Sequence, residues 1–425
     1  MSPDGSTDGA RTRACAPQLR PRYPLLGAGA LVAAGYMDPG NWATAMQAGA
    51  RYGYRLLWVV LAASLVAMLV QWIAGRVGAV TGRGLAELCR DELPRPSVLP
   101  LWIVAEIAII ACDVAETVGT AVALRLIFGM PLWSGVLLSG ALVIGYFLLE
   151  HPRRARLERV VALSMVGVAV CLAAQLFLAQ PAWFEVARGF VPSGELFHRE
   201  GMLWLVAGIV GATVMPHNLF LHSALLKRYA EPMQPRRLRG VLREANKDTI
   251  VCLSFALLIN LGLMLLAAAA LHGTTAEVGD LAQAQRQLTP SLGATWPGLL
   301  FATALLCCGL NSMVSGTLAG QAVAEGFLNI RLPRLWRALF TRGLALGPAL
   351  IAVQVAGGER STFLLVGSQV VLSMSLPIAL LPLMGFASSS RLMRPFELTP
   401  AVKAGGWGCA LLLVSVNVLL LWQLR

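Results

Sequence analysis

Charged side chains are scarce in this sequence, and their scarcity excludes a protein built from soluble domains. Asp, Glu, Lys and Arg together make up 13% of the 425 residues, whereas hydrophobic residues make up 57%. So small a share of charge cannot cover the surface of soluble domains of this length. The mean hydropathy of +0.68 instead indicates an all-α polytopic membrane protein.

The cysteine and histidine patterns that hold structural or catalytic metals are also absent. The eight cysteines form no C-x-x-C pair, so neither a disulfide framework nor a zinc site is predicted. No H-E-x-x-H motif occurs, which argues against an intramembrane metalloenzyme. We therefore expect a protein without enzymatic activity and without a bound cofactor.

Apolar windows of roughly 20 residues, the length that spans a bilayer core, recur along the chain. They predict eleven membrane-spanning helices, at about 25–49, 54–77, 99–125, 131–150, 158–180, 201–226, 247–271, 297–320, 336–356, 363–386 and 401–423. Residues 1–24 are polar, and we expect a disordered cytoplasmic tail there. Residues 25–386 are predicted to form the transmembrane core, and residues 387–425 a cytoplasmic loop followed by helix eleven.

Lys and Arg are distributed unevenly between the two ends of these predicted helices. With the N-terminus in the cytoplasm, most of the 34 Lys and Arg residues fall on the cytoplasmic side, as the positive-inside rule requires. The net charge of +12 therefore reports orientation in the inner (plasma) membrane and not binding to nucleic acid. An odd number of spans places the C-terminal Arg425 outside. The basic block at 227–247 is interpreted as a segment that faces anionic lipid headgroups, without a substrate role.

Two of the predicted spans are interrupted by polar residues and proline. The interruptions are Gly-Tyr-Met-Asp-Pro-Gly-Asn at 35–41 and Thr-Val-Met-Pro-His-Asn at 213–218. Charge and non-helical backbone are tolerated at bilayer depth where they line a cavity enclosed by protein. In the first span we expect one half-helix to end near Asp38 and another to begin near Trp42. Two breaks at matching positions in the halves of a chain predict the midplane site of a secondary transporter.

The groups that converge at the two breaks predict a site for a soft divalent cation. Asp38 supplies a carboxylate and Asn41 an amide oxygen. Pro216 has no N–H, so it releases the carbonyl of Ala212 one turn earlier. The thioether of Met215 favours Mn²⁺, Fe²⁺, Co²⁺ or Cd²⁺ over Mg²⁺ and Ca²⁺. Ligand chemistry leaves the choice between manganese and iron open.

Predicted helix three carries three acidic residues that share one helical face. Glu106, Asp113 and Glu116 are separated by seven and three residues, spacings that align them along a helix. Carboxylates on an inward membrane face are typical of proton relays. They could also pair with an arginine such as Arg342 only to hold helices together.

Two histidines follow the second break and are candidates for the same proton route. His217 lies directly after the proline, and His222 lies five residues further along the chain. A divalent cation that arrives at Asp38 lowers the proton affinity of that carboxylate. Imidazole and carboxyl groups nearby would then carry protons away. Proton coupling of metal transport follows as a hypothesis.

The chain resembles the Nramp family of proton-coupled divalent-metal transporters along nearly its whole length. The motifs that carry the resemblance are DPGNWAT at 38–44, MPHN at 215–218, AEIAIIACDVAE at 105–116, SGTLAGQ at 315–321 and SQVVLS at 368–373. The first two look like the signature motifs of the family, and the others are similar to its third, eighth and tenth helices. Cys112, directly before the helix-three aspartate, departs from the family pattern.

This resemblance implies a LeuT-like fold of two inverted five-helix repeats, at about 25–180 and 201–386, with discontinuous helices one and six and helix eleven appended. It implies that the metal is bound by Asp38, Asn41, Ala212 and Met215, with Gln369 joining in the occluded state. It also implies a proton route through His217, Asp113 and Glu116, with Glu106 and Arg342. We expect a monomer whose partners are the metal ion, protons and the lipid bilayer.

Two other transport hypotheses remain open from the sequence. A sodium-coupled carrier of an organic substrate with the same fold would have no need for the thioether of Met215. A channel would conduct the metal ion without any dependence on protons. The two signature motifs together favour the proton-coupled metal symporter.

Overall fold

The computed structural model of the protein describes residues 27–149, 154–197, 199, 201–230, 235–273, 281–291, 296–329, 334–356 and 361–423. Within these ranges the chain consists of α-helices joined by short turns, and no residue belongs to a β-strand. The all-α prediction is therefore confirmed. The predicted N-terminal tail at 1–24 and the C-terminal Arg425 lie outside the described residues.

Seventeen α-helices are assigned within the described residues, and several are short connectors. The first half of the chain forms α1 (Ala28–Gly35), α2 (Pro39–Tyr52), α3 (Leu57–Thr81), α4 (Leu85–Glu92), α5 (Arg95–Phe128), α6 (Leu132–Leu149), α7 (Arg154–Ala179) and α8 (Trp183–Gly189). The second half forms α9 (Met202–Thr213), α10 (Pro216–Leu226), α11 (Pro235–Ala270), α12 (Leu281–Ser291), α13 (Trp296–Leu328), α14 (Arg334–Ala356), α15 (Ser361–Ser388), α16 (Ser390–Met393) and α17 (Pro400–Gln423).

Every predicted membrane span overlaps one long helix or one interrupted pair of helices. Eight helical stretches of the described chain are long and apolar enough to cross a bilayer, and Leu132–Gly145 is a shorter apolar helix. The interrupted pairs are α1 with α2 and α9 with α10, as expected from the two prolines. The total of eleven spans stays a prediction.

The two interrupted pairs form the centre of the molecule. All residues of α1, and all residues of α9 except Trp204, are buried, although both helices are as apolar as helices that face lipid. The surrounding helices α5, α11, α13 and α15 pack directly against them. By contrast, α7 and α17 expose large apolar side chains along much of their length. The polar breaks are thus enclosed by protein, which is the condition for unwound backbone at this depth.

Small residues allow the central helices to approach at backbone distance. A Cβ atom added to Gly211 of α9 would lie 1.8 Å from the carbonyl oxygen of Gln369 on α15. A Cβ atom added to Gly119 of α5 would lie 2.0 Å from the Cβ atom of Pro39 at the start of α2. Close helix contacts through small residues are typical of membrane proteins, because lipid provides no hydrophobic driving force for helices to associate.

The N-terminus of α1 is held by a side chain from a distant helix. Asp248 of α11 is buried, and its carboxylate accepts hydrogen bonds from the backbone N–H groups of Gly27 at 3.2 Å and Gly29 at 2.9 Å. The first N–H groups of a helix have no partner within the helix and carry partial positive charge. Asp248 therefore satisfies both the hydrogen-bonding need and the electrostatics of this helix end.

We expect Gly211→Ala to destabilise the protein, because its methyl group would meet the backbone of α15. Overpacking of this kind costs about 1–3 kcal/mol, which should appear as a lower thermal unfolding temperature of the purified protein in detergent. Gly240→Ala is the matched control, since no atom lies within 4 Å of an added Cβ there. Equal unfolding temperatures for the two variants would show that α9 and α15 are not in tight contact.

Candidate functional site

The first break lies three residues earlier in the chain than the sequence predicted. The helix α1 ends at Gly35 and α2 begins at Pro39, so the expected ends near Asp38 and Trp42 were wrong by three residues each. The physical reason is the N-cap: Asp38 is extended, with φ −62° and ψ 164°, and its carboxylate accepts from the N–H of Asn41 at 2.8 Å. Proline suits the first helical position that follows such a cap.

The second break separates α9 from α10 around Met215. The last turn of α9 closes with a 2.7 Å hydrogen bond from the N–H of Val214 to the carbonyl of Val210. Met215 is extended, with φ −84° and ψ 123°, and Pro216 begins α10. Because Pro216 has no N–H, the carbonyl of Ala212 is available to a group outside the helix.

The side chain of Asn41 connects the two breaks. Its amide nitrogen donates to a carboxylate oxygen of Asp38 at 2.7 Å and to the carbonyl oxygen of Ala212 at 2.9 Å. The amide nitrogen of Gln369 lies 3.4 Å from the other carboxylate oxygen of Asp38. Four of the five predicted metal ligands are therefore joined by hydrogen bonds at one place. Asp38 and Gln369 are fully buried there.

Met215, the fifth predicted ligand, lies beside this group and is also fully buried. It packs with Cys112 of α5 and with Leu372, which is one turn after Gln369 on α15. The amide nitrogen of Asn218 lies 3.5 Å from its sulfur atom. The thioether of Met215 is thus enclosed by α5 and α15 at the second break.

Two buried amide oxygens next to these ligands have no hydrogen-bond donor among the described residues. They are Oε1 of Gln369 and Oδ1 of Asn218. An unsatisfied buried acceptor costs about 1–3 kcal/mol, and a cation would satisfy it. The C-terminal ends of α1 and α9 add partial negative charge at the breaks. Both observations favour a positively charged ligand.

Gly40 contributes to the site through the space that it leaves, which the sequence analysis did not predict. A Cβ atom at Gly40 would lie 1.8 Å from the amide nitrogen of Gln369 and 2.8 Å from a carboxylate oxygen of Asp38. Any larger residue would push Gln369 away from the carboxylate. Asn218, the last residue of the MPHN motif, was also not predicted as a site residue. Its place in that motif, which also contains the predicted ligand Met215, could have indicated it.

The acidic residues of α5 lie close to the second break. The carboxylate of Glu116 accepts from the hydroxyl of Ser312 at 2.5 Å and lies 3.6 Å from the sulfur of Cys112. The same sulfur lies 3.6 Å from Nε2 of His217. These contacts form a continuous polar path from α10 to α5. Cys112, noted in the sequence only as a departure, is its middle member.

The carboxylate of Asp113 lies close to that of Glu116. An added Cβ atom at Gly316 of α13 would lie 3.0 Å from a carboxylate oxygen of Asp113 and 3.0 Å from one of Glu116. Both carboxylates therefore face the same glycine. Glu106, two turns earlier on α5, is only partly buried, so it lies nearer to the outside of this path.

His222, a predicted member of the proton route, lies away from the acidic residues of α5. Nδ1 of His222 lies 2.9 Å from the carbonyl of Gln71, and Nε2 lies 3.4 Å from the hydroxyl of Thr249. His222 thus faces α3 and α11, whereas His217 faces α5. The backbone of Arg342 belongs to α14, but its side chain lies outside the described residues. The roles of both residues stay predictions.

The architecture defines a fold before any close relative is considered. The structure of MhsT in complex with L-phenylalanine has a TM-score of 0.63 to this chain at 14% identity, and covers 92% of this chain and 98% of its own. The nucleobase-cation-symport-1 family transporter MHP1 has a TM-score of 0.62 at 14% identity, covering 93% and 91%. The protein is therefore a multi-pass membrane protein with the LeuT-like fold, as the sequence predicted.

Closer comparisons identify the family. Residues 29–423 match the family described as Natural resistance-associated macrophage protein-like, or Nramp. The divalent metal cation transporter MntH of Brucella suis is 42% identical over 407 residues, covering 96% of this chain and 89% of the relative. That of Bradyrhizobium diazoefficiens is 44% identical over 398 residues, covering 93% and 88%. This chain belongs to the Nramp family.

A solved structure of the family agrees with this assignment. A variant of the manganese transporter of Eremococcus coleocola has a TM-score of 0.84 at 32% identity, and covers 93% of this chain and 86% of its own. The relatives are named as transporters and not as enzymes. By family, this protein has a non-enzymatic role.

Proposed function

We propose that this protein is a proton-coupled symporter that imports divalent transition-metal ions by alternating access. Manganese is the first candidate, and Fe²⁺, Co²⁺ and Cd²⁺ share the necessary chemistry. The transport unit is the core at 25–386, which acts as a monomer in the inner membrane. Its N-terminus is cytoplasmic and its C-terminus outside. Relatives named for divalent metal and manganese transport support the proposal.

The observation that carries the proposal is the bridge made by Asn41 between the two breaks. One amide group lies between an oxygen of Asp38 and the carbonyl of Ala212, where two partly negative atoms need a positive partner. A metal ion takes over this role when the amide of Asn41 turns to present its oxygen. Metal binding then replaces a hydrogen-bonded link between α2 and α9 by a coordinated one.

The thioether of Met215 supports a transition metal over an alkaline-earth ion. Hard cations such as Ca²⁺ and Mg²⁺ gain little from sulfur and would have to exchange a water for it, whereas softer ions accept it. A sodium-coupled carrier of an organic substrate gives no role to this atom. That alternative is therefore not favoured.

Proton coupling is supported by the polar path through His217, Cys112 and Glu116. A divalent cation at Asp38 disfavours any proton held nearby, because like charges repel strongly away from water. The path gives such a proton a route towards Asp113 and the outer part of α5. The metal and the proton thus use adjacent but separate groups.

Asp38→Asn is expected to abolish metal uptake, because it removes the only charge among the proposed ligands while it keeps the side-chain shape. The loss should exceed the roughly 10–100-fold that removal of an outer-sphere partner costs. Manganese uptake into proteoliposomes measures it. The control is Asp91→Asn, a partly exposed aspartate of α4. Uptake retained in the Asp38 variant would contradict the proposed site.

Met215→Ala is expected to admit Ca²⁺ while manganese transport stays measurable. The ratio of Ca²⁺ to Mn²⁺ uptake should rise roughly tenfold, which corresponds to about 1.4 kcal/mol of lost discrimination. Met264→Ala removes an equally buried methionine elsewhere and controls for the cavity. If both variants exclude Ca²⁺ as the parent protein does, the sulfur atom is not the filter.

Asp113→Asn is expected to weaken the stimulation of metal uptake by an imposed proton gradient, because the path would lose a proton acceptor. The measurement compares manganese uptake into proteoliposomes with and without the gradient. Glu185→Gln, at an exposed position, should leave the stimulation unchanged. An undiminished response in the Asp113 variant would remove α5 from the proton route.

A further inference from the structure

A second polar feature lies where α3, α11 and the segment after α16 meet. It is a pocket of about 560 Å³. Four cationic side chains line it, namely Arg76, Arg239, Arg243 and Lys247, together with one carboxylate, that of Glu397. Neither the metal site nor the proton path uses any of these residues. We call it the basic pocket.

Three of the four cations form a stripe along α11. Arg239, Arg243 and Lys247 are spaced by four residues, so they lie on one face of the helix, one turn apart. Like charges at this spacing destabilise a helix. An anion placed over the stripe would attract all three cations and offset their mutual repulsion.

Counter-charges from the protein do not neutralise the pocket. Lys247 pairs with Glu244 at 3.0 Å, and Glu397 pairs with Arg394 at 3.7 Å. In the part of the chain that the structure describes, Arg76, Arg239 and Arg243 make no ion pair. The basic pocket therefore keeps a clear excess of positive charge.

Aromatic and backbone contacts hold two of the guanidinium groups at the pocket. Arg76 lies over the ring of Trp72, 5.2 Å from its centroid, and its Nε donates to the carbonyl of Phe396 at 3.2 Å. Arg239 lies 5.9 Å from the centroid of the Phe396 ring. These contacts fix the side chains but leave most guanidinium N–H groups for another acceptor. A planar guanidinium is well suited to two phosphate oxygens.

One wall of the pocket continues onto an apolar, outward-facing surface. Ile250 lines the pocket and is 48% exposed, and Val251 and Leu258 further along α11 are 61% and 65% exposed. These residues belong to a helix that is long and apolar enough to cross the membrane. A free inorganic anion would gain nothing from such a wall, whereas a phospholipid carries a phosphate and acyl chains together.

We propose that the basic pocket binds the headgroup of an anionic phospholipid such as phosphatidylglycerol. The phosphate lies among Arg76, Arg239 and Arg243, and the acyl chains run along the exposed face that begins at Ile250. Basic pockets between membrane helices are suited to such headgroups. Lipid binding at this pocket does not depend on metal transport. From sequence alone, the basic block at 227–247 was interpreted only as facing lipid headgroups; the pocket gives part of it a specific ligand.

The test is a lipid titration of the purified full-length protein, followed by native mass spectrometry. The pocket variant carries Arg239→Gln with Arg243→Gln. The matched control carries Arg228→Gln with Arg236→Gln, which removes equal charge from residues that do not line the pocket. Each basic residue near a membrane surface contributes roughly fivefold in affinity, so the double pocket variant should bind phosphatidylglycerol roughly thirty-fold more weakly. The control should bind like the parent protein.

Separate arms of the titration identify the source of the anion. Phosphatidylcholine, glycerol phosphate and inorganic phosphate should each bind more weakly than phosphatidylglycerol. If inorganic phosphate binds as tightly as the lipid, the site is one for a soluble anion and the proposal is wrong. Equal lipid affinity in the pocket and control variants would also overturn it. Should the double variant fail to fold, Arg243→Gln alone is expected to weaken lipid binding roughly fivefold.

Discussion

The structure depends on holding the carboxylate of Asp38 away from water inside a membrane protein. Burying an unpaired carboxylate costs several kcal/mol, and Asp38 has no exposed surface. The donors that offset this cost include the N–H and the amide of Asn41, and the amide of Gln369. Their positions require α2 to begin at Pro39 and α15 to pass close to the break. Much of the packing around the centre follows from this requirement.

Glycine makes that arrangement sterically possible. Gly40 leaves space for Gln369, and Gly211 lets the backbone of α15 approach α9. Polar contacts then connect the helices where apolar packing would give no preference, since lipid is as apolar as leucine. The breaks are therefore joined by a few directional bonds and not by a large interlocked surface. Such a connection can be exchanged for metal coordination without disturbing the core.

Sequence alone predicted the breaks because proline removes a specific hydrogen bond at a known distance along the chain. It did not predict their ends, which depend on the backbone conformation of Asp38 as an N-cap. The contact of Gln369 with Asp38 could not be predicted from a lone glutamine, because it depends on glycines on two other helices. The different surroundings of His217 and His222 were predictable, since five residues correspond to a rotation of about 140° around a helix.

The hydrogen bonds that join the proposed ligands also limit how tightly a metal ion can bind. An ion must break both bonds of the Asn41 amide nitrogen and the contact of Gln369 with Asp38 before it gains these atoms as ligands. Each such bond contributes about 0.5–1.5 kcal/mol, so three of them weaken binding by roughly one to three orders of magnitude. A structural metal site would be impaired by this competition. A transport site benefits, because the same bonds form again when the ion leaves and so favour its release.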